Sequence, residues 1–139
     1  MDGSDKLPHL IISKSKNPKN KKLPLPVEYT HQKKAWINTQ IFNDWLIQVN
    51  NKMKRRRRKI LILADNFTAH RTPPPMSNVR LQMLCENTTS ICQPMDAGII
   101  AALKKMFGYR AAEHKITMLD SGLKPTITLY RALIMLKHS

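Results

Sequence analysis

At 139 residues the chain has room for one domain with a real hydrophobic core. Its 24 Lys and Arg against 9 Asp and Glu give a formal net charge of +15, which favours a polyanionic partner over a small-molecule substrate. No apolar run approaches the ~20 residues that span a bilayer, and MDGSDKLPHL lacks a signal-peptide pattern, so an intracellular, soluble protein with no membrane partner is expected.

The elements follow in chain order. Asp2-Gly3-Ser4-Asp5 is hairpin-turn chemistry, and Leu7 to Ser13 reads as a strand. Ser15 to Pro26 is a basic, proline-broken connector, followed by a short extended piece at Val27 to Thr30. From Ala35 the period becomes helical. Trp36, Ile41, Trp45 and Val49, with Phe42 and Leu46 beside them, line one face, Asn38 or Thr39 is the cap, and the helix is expected to end near Lys52. Ile60 to Ala64 is wholly apolar and suits a central parallel strand covered on both faces. Arg71 to Pro75 breaks the chain, and the alternation of Val79 to Leu84 predicts the next strand. Ile99, Ile100, Leu103 and Phe107 mark an amphipathic helix from about Ala97 to Glu113. A turn at Ser121-Gly122 and a last helix over Ile127 to Leu136 close the series, and the order of elements indicates an α/β sheet.

Charge divides the chain. Residues 1–60 carry 15 basic and four acidic side chains, residues 61–139 nine and five. Most of the excess is the run Lys52, Lys54, Arg55, Arg56, Arg57, Arg58 and Lys59. Four consecutive arginines exceed what solubility needs, so a nuclear-import patch or a phosphate-contacting surface is favoured over a solvated link. Such contacts position a protein on nucleic acid without reading bases. Trp36 and Trp45 could stack on bases, but at helical spacing with Ile41, Phe42 and Val49 they read as core. Cys85 and Cys92 belong to no CxxC or His pair and read as intracellular thiols, not as a disulfide or zinc site.

The candidate chemistry lies in the less charged half. Asp65 ends the apolar strand, where ligands bind in open α/β sheets, and Asp96 opens the following long helix. Each alone is ordinary turn or cap chemistry; the pair is more specific. Thirty residues separate them, enough for one loop, one strand and a return loop, so both can reach one sheet edge. Two carboxylates there can hold divalent ions that activate water and stabilise a leaving oxygen in phosphodiester cleavage.

The blocks KILILADNFTAH and NTTSICQPMDAGII, with GSDKLPHLIISKSKNP, KKAWI, IFNDWL and ITLYRALIML, resemble the DDE superfamily endonuclease domain of pogo and Tigger transposases and of their jerky-like and centromere-protein-B-like relatives. The resemblance spans nearly the whole chain. It implies a nuclear, DNA-engaging protein with an RNase-H-like mixed sheet flanked by helices, in strand order 3-2-1-4-5. Residues 1–113 would form the endonuclease domain and 114–139 a helical tail of the same domain. The family reaction is hydrolysis and strand transfer with Mg²⁺ or Mn²⁺ held by three acids. Asp65 matches the second acid and Asp96 the third. Asn66 and His70 match positions beside the second, where they orient water or the metal shell or, for His70, simply pack or cap. Gln93 belongs to the loop that positions the third. Ala97 departs from the polar residue expected after that acid, and Ala64 and Phe67 depart slightly. The first acid has no counterpart, and Asp2 and Asp5 are poor substitutes. A sheet lacking its first two strands is therefore expected, in a transposase remnant or partial chain. Unpaired buried backbone groups cost about 1–3 kcal/mol each against a total stability of ~5–15 kcal/mol, so cleavage by this chain alone is not expected. The alternative reading is a domesticated, non-enzymatic nuclear DNA-binding protein. Oligomeric state is left open by the sequence.

Overall fold

A computed structural model describes residues 6–16, 25, 27–85 and 95–137. The Asp2-Gly3-Ser4-Asp5 turn, Cys92, Gln93 and most of the NTTS-QPMD loop lie outside these. The chain is α/β. In order come β1 (Leu10–Ser13), β2 (Glu28–His31), α1 (Thr39–Arg55), β3 (Ile60–Ala64), a 3₁₀ turn (Thr68–His70), β4 (Val79–Met83), a π-helical turn (Met95–Ile99), α2 (Ile100–Asp120) and α3 (Leu129–Lys137). Two compact units result: residues 37–98, and residues 1–36 together with 99–139.

In the first unit Asn38 caps α1, its side chain accepting from Ile41 N–H at 2.9 Å. Phe42, Leu46, Val49 and Met53, at helical spacing, are the buried stripe. The helix packs on the 3₁₀ turn and on β4, which bury Ala69 and Val79. It runs to Arg55, past the expected Lys52, because Lys and Arg are good helix formers and their charges favour a helix C-terminus. Its end is a Schellman closure: Arg58 N–H donates to Met53 C=O and Arg57 N–H to Lys54 C=O, both at 3.0 Å. This closure holds Arg57 at φ 53°, a left-handed conformation usually left to glycine.

β3 and β4 pair in parallel, from Ile60 opposite Val79 to Ala64 opposite Met83, with fourteen residues in the connection. The parallel pairing agrees with the apolar sequence of β3; coverage on both faces does not. Ile60, Ile62 and Ala64 are half-buried, while Leu61 and Leu63 are 57% and 46% exposed. Among the described residues β3 has one strand neighbour and β4 is the other edge, so the outward face holds Leu61 and Leu63 beside Arg80 and Gln82. Asn78 ties this unit together. Its N–H donates to Asn50 Oδ1 at 2.8 Å, its Nδ2 to Arg58 C=O at 2.9 Å, and its C=O accepts from Ile60 N–H at 2.9 Å.

In the second unit β1 and β2 also pair in parallel, Leu10 opposite Glu28 through Ser13 opposite His31. Leu133 and Met135 of α3 are buried. The helix expected from Ala97 to Glu113 is instead a π turn, with Gly98 at φ 124°, followed by twenty-one residues of α2 ending in a Schellman closure at Gly122. None of α2 is buried. Ile116 and Tyr109 are exposed on the side away from the half-buried Leu103 and Phe107, and Met106 is exposed beside Leu103, so α2 is apolar on more than one side and not amphipathic as expected. Trp36 is 67% exposed and precedes the helix, which corrects its assignment to the core; Trp45 is half-buried against Phe42, ring centroids 6.0 Å apart.

Candidate functional site

Asp65 follows the last residue of β3, where the parallel pair places loops on one side. Its carboxylate is 46% exposed. Oδ1 faces His70 Nδ1 at 2.7 Å and accepts from Phe67 N–H at 3.4 Å. The imidazole is only 14% exposed, stacked obliquely on Phe42 with centroids 4.2 Å apart and set edge-on to Phe67 at 5.5 Å. A ring packed between two aromatics, with Nδ1 near both Oδ1 and the Asp65 carbonyl at 3.3 Å, restrains this acid. His70 is therefore a packed ring that also pairs with the Asp65 carboxylate. Asn66 is restrained in turn: Arg71 Nε donates to its Oδ1 at 3.1 Å and the guanidinium to its C=O at 3.3 Å.

Asp96 lies exposed in the π turn that leads into α2, in the same unit as Asp65. Among the described residues no three His, Cys, Asp or Glu side chains gather as a metal-binding group. A half-exposed carboxylate is still a fitting ligand for Mg²⁺ or Mn²⁺, which take oxygen donors, keep several waters and need only one or two carboxylates beside a substrate phosphate.

The basic run occupies the opposite, amino-terminal end of β3. Lys52, Lys54 and Arg55 belong to the last turn of α1, Arg56 to Arg58 form the closure, and Lys59 leads into the strand. All except Lys52 are exposed. A helix C-terminus carries partial negative charge, so part of this cluster stabilises α1 whatever else it does.

A family model described as DDE superfamily endonuclease matches residues 1–139. The chain belongs to this family. Tigger transposable element-derived protein 4 of Mus musculus is 29% identical over 134 residues, covering 95% of this chain and 26% of that protein. Tigger transposable element-derived protein 7 of Homo sapiens is 27% identical over 141 residues, covering 87% and 25%. Major centromere autoantigen B of Homo sapiens is 29% identical over 103 residues, covering 74% and 17%. The chain thus spans about a quarter or less of these relatives' lengths. No solved structure matches.

For a DDE-family chain, sequence reasoning named the acid and its neighbours but missed what supports them. Phe42 was visible only as a helix-face residue, yet it is the platform under His70. Arg71 looked like the start of a proline break, yet it clamps Asn66. The signal for Arg71 was local, five residues after Asn66; for Phe42 it was only a place on the buried stripe of the preceding helix, 28 residues before His70. Asn50 and Asn78 had no signal, because their partners are 20 and 28 residues distant. Asp65 and Asn66 meet His70 and Arg71; Gln93 lies outside the described residues.

Proposed function

We propose that this chain is an RNase-H-like DDE domain that binds DNA in the nucleus, with metal-dependent phosphodiester cleavage as its ancestral chemistry. The observation that carries the reading is the oriented Asp65 carboxylate at the carboxyl end of β3, held by His70 at 2.7 Å. Asp65 and Asp96 stand as the second and third acids, Asn66, His70 and Gln93 as their supports, and Mg²⁺ or Mn²⁺ as the cation. A divalent ion bound there would activate water and stabilise the leaving oxygen. The chain's own part is narrower. Asp65 offers an oxygen donor, His70 fixes its direction, and Arg71 holds Asn66 beside it. Asp65 and Asp96 match two of the three acids that the family chemistry uses, and the activity proposed for the described residues is binding.

Affinity is assigned to Lys52, Lys54, Arg55 to Arg58 and Lys59, a cluster at a helix end and a tight turn that is exposed except for the half-buried Lys52. Relatives named for transposable elements and for the centromere favour DNA and the nucleus over other polyanions and compartments. The test is duplex binding against salt. Wild type should show a linear fall of log affinity with log salt, at about −0.9 per phosphate neutralised, and replacing Arg55 to Arg58 by Gln should flatten that slope by up to ~3.6. An unchanged slope removes the cluster from the interface. Completing the domain with a third carboxylate and then finding no divalent-dependent nicking, under conditions where it folds, would leave the non-enzymatic binder as the surviving reading.

A further inference from the structure

Within the unit of residues 1–36 and 99–139, α2 and α3 line a cleft of about 430 Å³. Arg110, Glu113 and His114 line one wall from α2, and Arg131 faces them from α3. Arg110, Glu113 and His114 sit at helical spacings of three and four, so they share one side of α2. Ile134 and Met135 supply an apolar lining. Arg110 Nη1 donates to the Met135 carbonyl at 2.9 Å, which ties the guanidinium across the two helices. Two guanidinium groups against one carboxylate leave the cleft cationic, and a planar guanidinium fork suits phosphate oxygens better than a diffuse surface charge does.

We propose that this cleft is a second phosphate-binding site, and that its ligand is a backbone phosphodiester of nucleic acid. It rests on the DNA-binding reading and extends it, since the residues belong to a different compact unit from the Lys52–Lys59 cluster. Arg131 and Arg110 contact the phosphate oxygens, His114 adds a ring N–H, and the apolar lining accepts the sugar edge. Glu113 opposes the anion and limits how many phosphates enter. This arrangement gives two substitutions of opposite sign. Arg131→Gln removes a phosphate contact from an exposed position; Glu113→Gln removes a repulsion.

The experiment measures binding of the full chain to a labelled duplex across a salt series. A parallel arm titrates inorganic phosphate and follows backbone amide resonances of α2 and α3. The expected result is a salt slope shallower by about 0.9 in Arg131→Gln, tighter binding in Glu113→Gln, and phosphate-induced shifts centred on Arg110, His114 and Arg131. Wild-type slope and affinity in both variants, with circular dichroism showing them folded, would overturn the site. Phosphate shifts in a chain that binds no duplex would overturn nucleic acid as the source, and the DNA-binding reading with it. Duplex binding that depends on Arg55 to Arg58 but gives no shifts in α2 or α3 would overturn the cleft alone.

Discussion

Arg57 carries two roles that a pair of substitutions can separate. It holds a left-handed backbone at φ 53° in the closure of α1 while standing in the middle of the basic run. A non-glycine residue in that conformation costs roughly 1–2 kcal/mol. Arg57→Gly relieves the strain but adds roughly 0.5–1 kcal/mol of chain entropy to the unfolded state. Arg57→Ala keeps the strain and loses the same charge. Gly should therefore exceed Ala in stability by about 0.5–1 kcal/mol, read as a rise of roughly a few tenths of molar in the urea midpoint. Both variants should lose the same increment of duplex salt slope, about 0.9 if Arg57 meets one phosphate. Measuring the two quantities on the same preparations isolates backbone from charge. Equal stability of the Gly and Ala variants would refute the left-handed closure. A difference in their salt slopes would show that the turn's conformation, and not only its charge, sets the interface.

Other outcomes follow from the same geometry. Asn78→Ala loses the exposed bond to Arg58 C=O and should destabilise the unit by about 0.5–1.5 kcal/mol in urea unfolding, since water can replace the lost donor. Leu46→Ala, at the fully buried centre of α1, should cost about 2–5 kcal/mol; a loss under 1 kcal/mol would mean that the helix does not pack as described. Mn²⁺ added to the chain should broaden the amide resonances of Asn66 and Phe67, and Asp65→Asn should abolish that broadening; persistent broadening would place the ion elsewhere.

Much of the layout was legible because periodicity reports burial. The stripe Phe42, Leu46, Val49 gave α1 and its face, Asn38 gave its start, and the apolar run with Asp65 at its end gave β3 and a parallel partner. Legibility failed where local pattern and tertiary context part. Leu61 and Leu63 match a fully covered strand, but coverage is a property of neighbours, and these two side chains lack it. Trp36 continues the helical period on paper, yet the chain turns at Ala35, at φ 54°, and the helix begins only after Asn38. At the candidate site, the place of Asp65 at the end of β3 could be read, since an apolar run closed by a charge advertises a strand end. The His70–Phe42 contact could not, because nothing in the spacing of 28 residues specifies which ring meets which.

The exposed half of β3 has a practical side. Ile60 to Ala64 is a short, uncharged, β-prone segment with two leucines outward, the composition that stacks into cross-β assemblies when strands meet. Lys59 and Asp65 bracket it as charged gatekeepers. The carboxylate assigned to metal is thus also one of two charges that keep the segment from self-assembly. Neutral substitutions at Asp65, the natural choice for an inactive control, will make the protein more prone to form fibrils, and such a control belongs beside a variant in which Leu61 or Leu63 has been made polar.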